Sequence, residues 1–223
     1  MHLLESPIRS EELLGKTINI KYRFYASSSE PLQLKELLVM ADQNNDHQLI
    51  EAYHNHSLGY ADSGGSLDLR QQIATLYGDN ISASNIVVFP GAQTGMTLSA
   101  QALLHKGDHA IVITPSYQSL EESAKLAGCE ISRVSLSPDA NWQLDIADVE
   151  ATIQKNTRYI TLNDPHNPSG ALLDYDTKLA LIGLAEKYDL LIFSDEVYRL
   201  LELNPSERSP SMAELSDRAI ALS

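Results

Sequence analysis

With 223 residues and 43% hydrophobic content, the chain is long enough to bury the core of one large domain plus an appendage. Sixteen Lys and Arg against thirty Asp and Glu leave a formal net charge of −14, a surface that repels nucleic acid and anionic membranes. The single cysteine, Cys129, excludes an internal disulfide and suits a reducing compartment. No apolar run approaches the roughly 20 residues of a membrane span. The opening "MHLLESPIRSEELL" lacks a signal-peptide core, so the expectation is a soluble cytoplasmic protein.

In chain order, residues 1–60 read as an N-terminal arm and small-domain segment. Within them "EPLQLKELLVMADQ" predicts a helix with Pro31 in its first turn, and "QNNDHQ" and "HNHSLGYADSGG" predict loops. From residue 61 to 223 the pattern changes to alternating helices and strands. "SLDLRQQIATLYG" places Leu69, Ile73, Leu76 and Tyr77 at helical spacing and closes on Gly78. "NIVVF" reads as a short strand, "PGAQTG" as a turn and "MTLSAQALLHKG" as a helix. "HAIVIT" is a strand, "YQSLEESAKLAG" a helix and "EISRVSL" a strand again. "LDIADVEATIQ" is a helix with Asp145 as its N-cap. "RYITL", "LLIFSDE" and "RAIALS" are further strands, the first two separated by the helix "TKLALIGLAEKY". Strands alternating with helices of ten or so residues imply an α/β domain with a mostly parallel central sheet.

In open sheets of this kind ligands gather at the carboxyl ends of the strands, so the segment after each strand carries the information. After "NIVVF", the small residues of "PGAQTG" let the backbone approach a ligand, and the following helix start favours an anion. Taken alone, a structural turn explains it as well, and it is neither a G-x-G-x-x-G fingerprint nor a P-loop. After "HAIVIT" stands Tyr117. After "RYITL" comes "NDPHNPSG", whose prolines fix the backbone around Asn167 and whose Gly170 permits a turn. After "LLIF" comes "SDEVY". A carboxylate at the end of so apolar a strand starts partly buried, so Asp195 needs a cation or strong donors, or else serves as a helix cap. An anion cradle, an aromatic plate, a rigid amide and a buried acid at one sheet edge suit a phosphorylated, aromatic, protonatable cofactor. Pyridoxal 5'-phosphate has those properties.

Four stretches carry a resemblance. "GYADSGGSLDLR", "VVFPGAQTGMTLSAQALLHKGDHAIVITPSY", "NDPHNPSG" and "FSDEVY" resemble, in order and spacing, the class I/II aminotransferases, the fold-type-I pyridoxal-phosphate-dependent enzymes. The resemblance implies the three-layer large domain of that family, incomplete at its C-terminal side, and an amino acid and 2-oxo acid as substrates. It implies that the Ala92 and Gln93 amides hold the phosphate and that Tyr117 stacks on the pyridine. Asn167 and Tyr198 would donate to the cofactor's phenolic oxygen, and Asp195 would pair with the pyridinium nitrogen. Tyr60 matches a family tyrosine that reaches the phosphate in the neighbouring subunit, which implies a homodimer of the full-length form. The family's Schiff-base lysine follows the next strand in a Ser-x-Ser-Lys motif. "RAIALS" matches the approach to it, with Ser223 at its first serine or the residue before. None of Lys106, Lys125, Lys155, Lys178 or Lys187 stands in the lysine's place, so no catalytic residue is assigned and the expectation is a fragment inactive alone.

His47, His54 and His56 lie in polar surroundings without the carboxylate or cysteine spacing of a metal site. Glu121–Glu122 and Asp145, Asp148 and Glu150 read as solvent faces and helix-start charges. Ser116 lacks the G-x-S-x-G elbow of a serine hydrolase. Two alternatives to transamination stay open: a lyase or synthase of the same fold, and a catalytically inactive module for cofactor binding or dimerisation.

Overall fold

The computed structural model describes residues 31–204, 206 and 208–223. By its internal contacts the chain divides between Gly59 and Tyr60 into two compact units. In the first, helix α1 (Leu34–Gln43) is followed by α2 (His47–His54). Gln33 caps α1, and the Glu36 side chain reaches back to the Gln33 amide at 2.6 Å, so Pro31 precedes the helix rather than occupying its first turn. Helix α2 replaces part of an expected loop. Its eight residues offer only Leu49, Ile50 and Tyr53 as an apolar pattern, too little to stand out between polar stretches.

The second unit opens with α3 (Leu67–Ala74), capped by Ser66, whose hydroxyl accepts from the Leu69 amide. Then follow α4 (Ala92–Leu103), β1 (His109–Thr114), α5 (Gln118–Leu126), β2 (Glu130–Ser135) and α6 (Ile146–Thr152). Asp145 caps α6 as its sequence implies, accepting from the Ala147 amide at 2.8 Å. Strand β3 (Thr157–Asn163), α7 (Tyr175–Tyr188), β4 (Leu191–Asp195), α8 (Met212–Leu215) and β5 (Ala219–Leu222) complete the series.

The five strands form one parallel sheet in the order β2-β1-β3-β4-β5. Strand residues alternate between its faces, and each face buries its own core. On one, Ile111, Ile160, Leu162 and Ile192 pack with Val149 of α6 and Leu181 and Ile182 of α7. On the other, Ala110, Tyr159 and Phe193 pack with Met96 and Ala100 of α4 and Leu120 of α5. Covering helices on both faces explain why the central strands read as unbroken apolar runs.

The strand expected at "NIVVF" is not in the sheet. Residues 86–89 belong to no strand, and the Val88 amide donates to Gly64 O at 2.8 Å rather than to a neighbouring strand. A cleft of about 560 Å³, lined by Ile86, Val88, Ala219 and Ala221 among others, separates this segment from β5. Strand propensity needs a partner within hydrogen-bonding distance, and here the cleft intervenes.

Candidate functional site

Because the strands are parallel, their carboxyl ends share one edge: Asn163 pairs in register with Asp195, and Asp195 with Leu222. From β1 the chain steps to β2 on one side, then crosses back past β1 to place β3 on the other. The crevice between the ends of β1 and β3 is therefore the switch point where such sheets hold ligands.

The loops after β1 and β3 are joined there by the His166–Pro115 bond, and Asn163 joins the loop after β3 to the end of β4; the turn before α4 lines the cleft beside β5. Gly91, at φ 97°, precedes α4, and no side chain caps that helix. The Thr94 and Gly95 amides donate back to Gly91 O, whereas the Ala92 and Gln93 amides belong to the opening turn, which has no intrahelical acceptors. Tyr117 is the N-cap residue of α5 and is 44% exposed. In the loop after β3, Gly170 takes φ 75°, as the turn requires. The Asn167 amide donates to Asn163 Oδ1 at 2.6 Å, and Asn163 Nδ2 donates to Asp195 O at 2.8 Å. Asn167 Nδ2 donates to Tyr198 Oη at 3.4 Å. These bonds bring Asn167, Asp195 and Tyr198 together.

Asp195 is 4% exposed, and burial pushes its carboxyl above the ordinary range. Its Oδ1 accepts from the Val197 amide at 3.2 Å, a partial version of the cap reading. Among the described residues no cation pairs with it. Arg199, the nearest in sequence, turns away to Leu76 O at 2.9 Å and Glu214 Oε2 at 3.3 Å, with its guanidinium over the Tyr77 ring. Ser223 Oγ donates to Glu196 O at 3.5 Å, one residue beyond Asp195. Tyr60 is fully exposed, and among the described residues no hydrogen bond joins it to the others.

Three supporting residues escaped the sequence reading. Asn163 holds Asn167, His166 reaches the loop of Tyr117, and Lys178 lies buried behind the site. For Lys178 a signal existed: Leu181, Ile182 and Ala185 follow it at helical spacing, so it sits on the apolar stripe of α7. Among the described residues no group of three or more His, Cys, Asp and Glu side chains is arranged to hold a metal. His47 Nδ1 lies 3.5 Å from Asp42 Oδ1, and Glu121 pairs with Arg133 and Lys125, which holds its carboxyl down at about 2.

At the carboxyl ends of its strands this open parallel sheet carries an aromatic, an amide–phenol pair and a buried acid without a cationic partner among the described residues, an α/β arrangement suited to a ligand. Residues 27–221 match the family described as aminotransferase class I and II, and the chain belongs to that family. It is 34% identical over 143 residues to an aspartate aminotransferase of Pyrococcus horikoshii, covering 62% of this chain and 37% of that protein. It is 36% identical over 168 residues to the arginine–pyruvate transaminase of Pseudomonas aeruginosa, covering 73% and 43%. Among solved structures, a PLP-dependent aminotransferase from Streptococcus suis superposes with a TM-score of 0.76 at 28% identity over 85% of this chain and 50% of that one. An alanine aminotransferase from Pyrococcus furiosus gives 0.73 at 26% identity, over 96% and 54%. The chain thus spans about two fifths of these curated relatives' length and about half of the solved ones.

Proposed function

We propose that these residues form the cofactor-binding portion of a pyridoxal-phosphate-dependent aminotransferase that exchanges an amino group between an amino acid and a 2-oxo acid. One observation carries the reading: Asp195 is a buried carboxylate without a cationic partner among the described residues, beside the Asn167–Tyr198 pair. A buried charge in that position is tolerable when a ligand brings the opposite one. Pyridoxal phosphate supplies a pyridine ring that, kept protonated, accepts electron density from the substrate's Cα.

The donor set fits that group. The Ala92 and Gln93 amides at the start of α4 would hold its phosphate, aided by the helix dipole. Tyr117 would stack on the ring, Asn167 Nδ2 and the Tyr198 hydroxyl would donate to the phenolic oxygen, and Asp195 would keep the ring nitrogen protonated. Ser223, bonded to the backbone of Glu196, joins the cradle from the end of β5. In the full-length form Tyr60 reaches the phosphate of a neighbouring subunit, a reading supported by its complete exposure on its own chain. The protein would then work as a homodimer, in the cytoplasm in keeping with its single cysteine. No helix among the described residues is long and apolar enough to cross a membrane.

Titrating the chain with pyridoxal phosphate and following the cofactor's induced circular dichroism tests the site. Weak non-covalent binding that Asp195→Ala lowers about tenfold or more is expected. Equal affinity in the two proteins rejects Asp195 as the ring's partner. The reaction class is tested on the full-length protein: amino transfer to a 2-oxo acid supports the proposal, and ammonia release without transfer replaces it by lyase chemistry.

A further inference from the structure

The ends of β3 and β4 carry two pairs of consecutive polar residues, Asn163–Asp164 and Asp195–Glu196, and all four side chains are buried. Strand alternation sends them to opposite faces. Phe193 and Tyr159 belong to the core under α4 and α5, and counting by twos from them places Asn163 and Asp195 on that face, with the cofactor site. Ile192 and Leu162 belong to the core under α7, which places Asp164 and Glu196 there.

On that second face stands Lys178 of α7. Its side chain is 3% exposed, its Nζ lies 2.6 Å from Asp164 Oδ2, and it also donates to Pro210 O at 3.1 Å. The other oxygen, Asp164 Oδ1, accepts from the Leu173 amide at 2.9 Å. The Asp164 amide in turn donates to Asp195 O at 2.9 Å, so the carboxylate Lys178 grips is tied through its own backbone to the acid of the site. Glu196 accepts from the Met212 amide at 2.9 Å, while its Oε2 has no hydrogen-bond partner. Burial pushes the Glu196 carboxyl above its ordinary range, offset only in part by the Met212 amide, Ser211 and the charge of Lys178. The ammonium of Lys178 therefore holds the buried acid of the loop after β3, and the backbone bond from Asp164 to Asp195 carries that hold to the end of β4.

We propose that Lys178 is a positioning residue for the cofactor site: by holding Asp164 behind the sheet, it fixes the loops that present Asn167, Asp195 and Tyr198 in front. The link to a cofactor rests on the function proposed above. The link to loop geometry does not.

Lys178→Met alone leaves Asp164 buried without its cation and is expected to lower the melting temperature steeply. The deciding protein is Lys178→Met with Asp164→Asn, which removes both charges of the pair and keeps an acceptor for the Leu173 amide. Hydrogen exchange is read at two amides of the loops, Asn167 and Val197, against those of Ile111 and Ile160 in the sheet. With folding retained, exchange at Asn167 and Val197 is expected to rise about tenfold or more, with the sheet amides unchanged. Affinity for pyridoxal phosphate is expected to fall about tenfold, because the donors are held less well. Unchanged exchange at both loop amides, with affinity within about twofold of the parent, overturns the proposal. A uniform rise at all four amides does so too, since it marks a merely structural pair. A parent chain that binds no pyridoxal phosphate refutes the cofactor reading instead, and the exchange comparison still decides whether Lys178 sets the loops.

Discussion

His166 Nε2 donates to Pro115 O at 2.6 Å, joining the loop after β3 to the loop after β1 across the switch point of the sheet. A carbonyl can only accept, so the proton is on Nε2, and Nδ1 accepts from Ser169 Oγ at 2.6 Å. Ser169 completes the turn by accepting from the Ala171 amide at 3.1 Å. The ring thus sets the spacing between Tyr117 and Asn167 without belonging to either loop's regular structure.

Replacing His166 by Ala removes both bonds and the contact with the Trp142 ring. A loss of about 1–3 kcal/mol in urea unfolding is expected, together with weaker pyridoxal phosphate binding. Ser169→Ala removes one bond and should cost roughly 1 kcal/mol.

Asp195 is expected to trade stability for binding. Its folded pKa is raised by burial, so the folded chain holds a proton that the unfolded chain releases. Its contribution is therefore most favourable at low pH and declines as pH rises through the unfolded value near 4 and the raised folded one. Asp195→Asn should stabilise the cofactor-free chain at pH 7 by about 0.5–2 kcal/mol while weakening cofactor binding. Thermal melts with and without pyridoxal phosphate measure both; a destabilised variant would contradict the desolvation argument.

His109 gives a second pH dependence with the opposite sense. It is 1% exposed at the other end of the sheet, with Nδ1 at 2.7 Å from Thr157 Oγ1 and Nε2 at 2.9 Å from Ser132 Oγ and 3.2 Å from Gln154 Nε2. Burial pushes its pKa down, only partly offset by Glu130. The unfolded chain takes up the proton first, so stability is full above about 6.5 and is lost as pH falls through that value to the folded one. Urea unfolding at pH 7.5 and 5.5 should show the drop, and His109→Gln should reduce it.

Two glycines at the start of α4 should respond differently. A Cβ on Gly95 would lie 2.7 Å from Leu222 Cδ1 and 3.3 Å from Phe89, so Gly95→Ala makes the Leu222 side chain or its neighbours shift, at a cost of about 1–3 kcal/mol. A Cβ on Gly91 would meet nothing within 4 Å, and Gly91→Ala pays only the strain of its φ of 97°, about 1 kcal/mol. Reversed costs in chemical unfolding would refute this packing of α4.

The α/β rhythm was legible because each buried strand is a short apolar run and each helix has its own period. The chemistry at the strand ends was legible because an acid such as Asp195 is conspicuous after "LLIF". "NIVVF" misled because propensity describes a residue's own backbone, whereas membership of a sheet depends on what lies alongside. Lys178 was weighed only as a substitute for the Schiff-base lysine. Its partner Asp164 is fourteen positions away, at the end of a strand whose faces were not yet assigned. His166 gave no signal, since its acceptor, Pro115 O, is a backbone atom 51 positions distant.

The alternation at the end of β4 also sets a parity rule for this chain. Asp195 and Glu196 differ by one methylene and by the side of the sheet they face. Inserting or deleting one residue within β4 would leave composition and charge almost untouched. It would nevertheless turn Glu196 towards the front of the sheet and Asp195 towards Lys178. The identity of the site acid is therefore written less in the side chain than in whether its distance along the strand is odd or even.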